Sequence, residues 1–157
     1  MAITQALTTS FKAEILLAVH DFRNTGGDTF KMSLYTSSAT IDANTVSYSA
    51  TNEATGTNYT AGGNSLTNGG VTATNTNTSA GTGFTTFSNT TWTNANITAR
   101  GALIYNSTPS ANGTANTTLT NAAVAVLDFG ADKTSTLGDF TVIFPTNNNT
   151  SAIIRIA

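Results

Sequence analysis

Residues 28–36 read Asp28-Thr29-Phe30-Lys31-Met32-Ser33-Leu34-Tyr35-Thr36, and this stretch decides the fold class. Phe30, Met32 and Leu34 alternate with Lys31, Ser33 and Tyr35. A period of two sends alternate side chains to opposite faces of a strand. The pattern predicts a half-buried strand over 29–35, the Phe30 set inward and the Lys31 set toward water. Upstream the period changes. Leu7, Phe11, Ile15, Ala18, Val19 and Phe22 recur at spacings of three and four, which lays them on one face of a helix over 7–22. Thr8, Thr9 or Ser10 can cap its start, and Gly26-Gly27 after Asn24 should stop it. The apolar stripe must be buried, on one face or the open end of the sheet or, as the lesser alternative, on another subunit.

Downstream the reading stays β. Weaker strands are predicted over 46–49, 65–67, 70–74, 83–87 and 91–98, the last two around Phe84, Phe87, Trp92 and Ile97. Stronger ones follow over 102–105, 122–129 and 140–144, with a last strand over 153–156. Between them lie polar segments at 52–64, 74–83 and 107–118. A run such as Thr74-Asn75-Thr76-Asn77-Thr78 offers nothing to bury and reads as loop. Gly62-Gly63 and Gly69-Gly70 read as hairpin or bulge positions that need positive φ. Short strands joined by turns, with Thr suited to a pleated surface, predict a mainly β chain. The expected architecture is an antiparallel β-sandwich or jelly roll with one N-terminal α-helix. It forms a single domain over 1–157, with the helix at about 7–22 and the sandwich at about 29–157.

The chain has 157 residues, enough to bury roughly 70% of the surface an unfolded chain exposes. It has no cysteine, so neither disulfides nor thiolate chemistry contributes. Charged residues make up only 9% of it, while Thr and Asn together make up roughly a third. Thr, Ser and Asn lose less conformational freedom on ordering than Lys or Glu, so a surface built from them packs cheaply against a neighbour. An AT-rich genome, whose codons favour Asn, would produce the same enrichment. The net charge is −2, and no two of Lys12, Arg23, Lys31, Arg100, Lys133 and Arg155 are adjacent. Nucleic-acid binding needs clustered cations, so none is expected. Lys12 and Glu14 interrupt the apolar run a secretory signal needs, and residues 15–19 are too few to span a bilayer. No signal peptide and no membrane partner are therefore expected.

Chemistry-bearing constellations are sparse. His20 is the only histidine; it lies off the stripe beside Asp21 and reads as a surface or edge residue. No zinc site, Cys–His pair or G-x-S-x-G elbow can be assembled. Gly81-Thr82-Gly83 lacks the third glycine and following helix of a phosphate loop and reads as a turn. Asp128, Asp132 and Asp139 are the nearest approach to a calcium site, without the spacing of an EF-hand loop. Sequons such as Asn89-Thr90-Thr91 and Asn116-Thr117-Thr118 arise by chance in so Thr- and Asn-rich a chain. Phe84, Phe87 and Trp92 alternate at strand spacing, which favours core packing over a sugar-stacking platform. No catalytic residue, metal or cofactor is assigned.

Particular strings carry a resemblance. They are Met1-Ala2-Ile3-Thr4-Gln5-Ala6, Ser10-Phe11-Lys12-Ala13-Glu14, His20-Asp21-Phe22 and Asp28-Thr29-Phe30-Lys31. Further along come Leu34-Tyr35-Thr36, Tyr59-Thr60-Ala61-Gly62-Gly63, Ala99-Arg100-Gly101-Ala102-Leu103-Ile104-Tyr105-Asn106, Leu127-Asp128-Phe129-Gly130 and Asp139-Phe140-Thr141-Val142. As a set, running from end to end, they resemble a family of small virion structural proteins of tailed bacteriophages, cyanophages among them. The resemblance implies a virion component assembled in the host cytoplasm and leaves head, neck or tail open. It carries over no catalytic residue.

The expectation is therefore a capsid decoration (cement) protein that stabilises the head by protein–protein contacts. Its partners would be the major capsid protein or other virion proteins, in a homo-oligomer or symmetric array. Ile3, Thr4, Leu7 and Phe11 are the expected partner contacts. A tail, neck or fibre-associated protein, with loops 52–64 and 74–83 as contact surfaces, is the first alternative. A carbohydrate-binding module that depends on Trp92 is the second.

Overall fold

A computed structural model describes residues 3–76, 79–111, 114–115 and 119–157. In chain order the elements are β1 (Ala6–Leu7), α1 (Thr9–Leu16), β2 (Phe30–Tyr35), β3 (Asn64–Ser65), β4 (Thr72–Thr76) and β5 (Ser79–Thr85). They continue with β6 (Thr90–Asn106), β7 (Ser110–Ala111), β8 (Thr114–Ala115), β9 (Ala122–Val142) and β10 (Ile154–Ile156). The chain is mainly β, with one short helix among the described residues, and every pairing is antiparallel. A five-stranded sheet runs β1-β9-β6-β2-β3, a three-stranded sheet runs β10-β5-β4, and β7 pairs with β8.

The alternation in β2 works as read on one face: Phe30, Met32 and Leu34 are wholly buried. The other face departs from the expectation of a half-buried strand, because Ser33 and Tyr35 are buried as well. The centre of the large sheet is covered twice. On one side Phe11, Phe22, Phe30, Met32, Leu34 and Ile104 belong to one apolar cluster. On the other, Ile3, Tyr35, Ile41, Leu103, Tyr105 and Val126 belong to a second. Residues 101–106 and 122–126 are consequently buried without alternation, as in any strand covered on both faces.

The helix is shorter than its periodicity suggests. Thr8 caps it: its Oγ1 accepts from Phe11 N at 3.3 Å and donates to Ala123 O at 2.9 Å, tying the cap to β9. It ends at Leu16, ten residues before Gly26, and Ala18 takes a left-handed turn at φ 56°. Val19 and Phe22 still reach the interior, carried by irregular chain beyond the helix.

Segments that read as separate strands are joined. The strands expected over 91–98 and 102–105 are one, β6, and those over 122–129 and 140–144 are one, β9. The two form a long ribbon. Its register slips where β6 advances from Ala99 to Gly101 while β9 retreats from Lys133 to Asp128. The extra β9 residues are accommodated at Gly130 (φ 75°), whose N–H donates to Asp128 Oδ1 at 2.8 Å. A second irregularity lies at Asn94 and Leu137, both at positive φ. The expected strand over 46–49 is reduced to a single bridge, Ser47 to Ala122. The segment 74–83, expected as loop, contains the ends of β4 and β5, with 77–78 outside the described residues. Of 107–118, residues 112–113 and 116–118, with the Asn116 sequon, likewise lie outside them, as do Met1 and Ala2.

Candidate functional site

The residues expected to meet a partner lie at the start of the chain, and the fold uses most of them internally. Ile3 is buried against Gly101, where an added Cβ would stand 2.9 Å from the Ile3 side chain. Phe11 is buried beside Phe22 in an edge-on ring contact at 6.0 Å. Leu7 is half-buried in β1, paired with Ala125. Thr4 alone is exposed, its N–H donating to Ile41 O at 3.1 Å. The apolar members of this set hold β1 and α1 onto the sheet.

His20 departs most from its reading as a surface or edge residue. Its imidazole has no solvent exposure. Asn106 Oδ1 accepts from Thr108 N at 3.0 Å, and Asn106 Nδ2 donates to Asp28 Oδ2 at 2.7 Å. The Asn106 amide is thereby oriented, and the same Nδ2 donates to His20 Nδ1 at 3.0 Å. His20 Nδ1 is therefore an acceptor, and Nε2 carries the hydrogen, donated to Glu14 Oε2 at 2.8 Å. Asp28 is filled from other sides, by Ser110 Oγ at 2.6 Å and by Asp21 N. Burial holds the His20 pKa below its ordinary value, outweighing the opposing pull of Glu14 and Asp28. The cluster ties the end of α1, the 20–28 segment and the end of β6 together. Each of these side chains takes part in at least one of these hydrogen bonds.

A second buried polar cluster gathers all four tyrosines of the chain around Glu53. Glu53 Oε2 accepts from Tyr48 OH at 2.7 Å. Its Oε1 accepts from Tyr59 OH at 2.6 Å and from Gly62 N at 2.7 Å. Tyr105 OH donates to Gly62 O at 2.8 Å, and the Tyr105 ring stacks on Tyr48 at 4.8 Å. Tyr35 OH donates to Ser49 O at 2.6 Å. Burial raises the pKa of Tyr48, Tyr59 and Tyr105, the last to about 12, and the Glu53 carboxylate reinforces the shift in each. The cluster anchors the 48–63 segment to β2 and β6. Nothing in the spacing of four isolated tyrosines announced it.

The remaining candidates separate. Asp128 bonds Gly130 N and Arg100, and the Gly130 amide, then Arg100, hold its carboxyl below the usual carboxylate range. Asp139 accepts from Asn94 N at 3.1 Å. Asp132 is exposed, and among the described residues no three carboxylates or histidines group to hold a metal ion. Phe84, Phe87 and Trp92 are 6%, 3% and 3% exposed, so they present no stacking face. An apolar cleft of about 470 Å³ lies beside the His20 cluster, lined by Ile15, Phe22, Val71, Phe84 and Ile154 with Asp21 and Arg23 at its polar side. A second, of about 510 Å³, runs along β9 between Phe129, Phe140 and Ile143. Among the described residues no helix is long and apolar enough to cross a membrane. No protein-family model, curated protein or solved structure matches this chain.

Proposed function

We propose that this chain is a structural subunit of a tailed-phage particle, acting as a decoration protein on the head through contacts with the major capsid protein. The carrying observation is the exposed face of the β6–β9 ribbon. Where an ordinary surface strand would present mostly Lys and Glu, the ribbon presents Thr91, Thr93, Thr98, Thr134, Thr136 and Thr141, with Asp132, Lys133 and Asp139 as its exposed charges. Cross-strand hydroxyl pairs join Thr91 to Thr141 at 2.9 Å and Thr98 to Thr134 at 3.0 Å. Side chains held this way lose little further freedom when a neighbour packs on them. Repetition over a symmetric shell multiplies a small gain per contact. The string resemblance supports a virion component and leaves head, neck or tail open.

We read the two larger sheets as the layers of a sandwich. Ile154 of the small sheet shares an apolar cluster with Phe30, Met32 and Leu34 of the large one, which supports that reading.

Quantitative protein analysis of purified particles, with heads and tails separated, tests the proposal. Many copies per head are expected. Recovery with the tail fraction moves the subunit to a tail or neck position. Absence from mature particles overturns the structural reading altogether.

A further inference from the structure

Residues 17–29 belong to no helix or strand, and their outer side, at 17–18 and 23–26, is exposed. Phe22 holds this segment down by stacking on Phe30 at 4.3 Å, with Phe11 and Phe87 beside it. Val19 O accepts from Ser110 N at 3.1 Å, and Asn68 Nδ2 donates to Arg23 O and Asp28 O. The His20 cluster supplies a further hold, to α1 through Glu14, to the end of β6 through Asn106 and to β7 through Ser110.

That cluster is built for a neutral imidazole. Glu14 Oε2 already takes the hydrogen of His20 Nε2, so an added proton goes on Nδ1. There it meets the Asn106 amide nitrogen at 3.0 Å, itself a donor to Asp28. Turning the amide over gives no relief, because Oδ1 would leave Thr108 N and come to face Asp28 Oδ2, another acceptor. The groups facing the ring are Glu14 from α1, Asp28 and Phe22 from the segment, Phe11, Phe30 and Asn106. Asp21 is turned onto Arg23. The Glu14 and Asp28 carboxylates attract the proton, and burial outweighs them.

We propose that this cluster is an acid-operated latch: a proton on His20 Nδ1 releases residues 19–28 while both sheets stay folded, and uncovers the apolar floor beneath Phe22. Release is local because the segment contributes no strand to either sheet. Released, the imidazole takes its proton near the ordinary value of 6.5; latched, it does so only at lower pH. Between those two values each unit of pH multiplies the released population by up to about ten. The floor of Phe11, Phe30 and Phe87 adjoins the cleft of Ile15, Phe84 and Ile154, whose wall Phe22 supplies. Lifting Phe22 merges the two into one apolar surface offered only in acid.

His20 is the only histidine, so one imidazole signal in the nuclear magnetic resonance spectrum of the full chain reports its proton. The chain is titrated between about pH 8 and 5. Protection factors of the Asp21, Asp28 and Ser110 amides are followed with it, together with binding of the apolar dye anilinonaphthalene sulfonate and far-ultraviolet circular dichroism. Protonation is expected to midpoint below 6.5. Protection at the three amides should fall and the dye should bind with the same midpoint, while circular dichroism holds. His20→Gln, whose amide keeps one acceptor toward Asn106 and one donor toward Glu14, should stay latched throughout. An imidazole that protonates with the three amides still protected overturns the proposal, as does one that stays neutral to the end of the range. So does loss of the circular dichroism signal together with protonation, or a folded His20→Gln that opens at the same pH as the wild type.

Discussion

One edge of the β6–β9 ribbon is closed and the other is open, and the difference lies in what the chain spends on each. Along β6 the 53–64 segment lies so close that a Cβ added at Gly56 would stand 1.7 Å from Asn96 O. The segment is held there by the Glu53 cluster, with Tyr59 also accepting from Leu34 N at 2.8 Å. Along β9 no described strand other than β1, at Ala125 and Val126, pairs on the far side from β6, and Leu137 and Ile143 are exposed. A closed edge serves the fold. An open one, on a strand this long, leaves room for another chain.

The largest loss is expected from Gly56→Val. Gly56 adopts φ 155° against the Asn96 carbonyl, and a side chain there must push the whole segment away from β6. The cost should be at least about 3 kcal/mol, read as a shifted denaturation midpoint. Hydrogen exchange at Asn96 should rise with it, turning the closed edge into an open one. Glu53→Gln is next. The buried carboxylate accepts two phenols and an amide, and charge-assisted acceptance is lost while most of the shape is kept. A loss of about 1–2 kcal/mol is expected by chemical denaturation. Equal stability of wild type and variant would show that the cluster does not hold the segment down.

Acid should touch the other polar cluster and leave the closed edge alone. His20 is buried neutral, so the unfolded chain takes up a proton near the ordinary value of 6.5 while the folded chain does so only at lower pH. Its contribution is fully present above 6.5 and is lost as pH falls from there toward the folded value. Protonation places a hydrogen on Nδ1 against the Asn106 amide donor. Thermal unfolding followed downward from neutral pH should show a loss smaller than that of Glu53→Gln, and His20→Gln should flatten this part of the profile. Protection near Glu14 and Asn106 should fall first. If the 53–64 segment loosens at the same pH, the two clusters are one cooperative unit.

The parts of the fold written in periodicity were legible. The alternation at 30–35 located β2, and of the stripe from Leu7 to Phe22 all but the exposed Ala18 are buried or half-buried. Gly62, Gly63, Gly69 and Gly70 were read as needing positive φ, and all but Gly69 have it. What stayed hidden depends on partners distant in sequence. The stretch between the strands read at 91–98 and 102–105 is continuous, and Gly101 is kept small because a Cβ there would strike Leu127 O at 2.5 Å and the Ile3 side chain at 2.9 Å. Residues 130–139 show no apolar alternation because they belong to a bulged, mostly exposed stretch of ribbon. Ser33 and Tyr35 looked outward because no local signal says that a second layer covers that face. His20 looked peripheral because Asn106 and Asp28, which make its burial tolerable, enter only through the fold. The stripe from Leu7 was expected to lie on the sheet, and Phe11 does; Ile3, Leu7 and Phe11, also named as partner contacts, are covered by the chain itself.

The smallest expected effect discriminates most finely. Asn58 sits at φ 61° and its Nδ2 donates to Thr93 O at 3.3 Å and Asn94 O at 3.1 Å. Asn58→Ala removes both bonds and also forces alanine into a left-handed conformation. Asn58→Gly removes the bonds and eases the conformation. If the amide itself closes the edge, both variants should lose about 0.5–1 kcal/mol, alanine the more, and exchange should quicken at neighbouring β6 amides. If only the conformation matters, glycine will match the wild type. Closure would then rest on the packing at Gly56, the Asn96 N–Thr57 O bond and the Asn64 amide on Thr91 O.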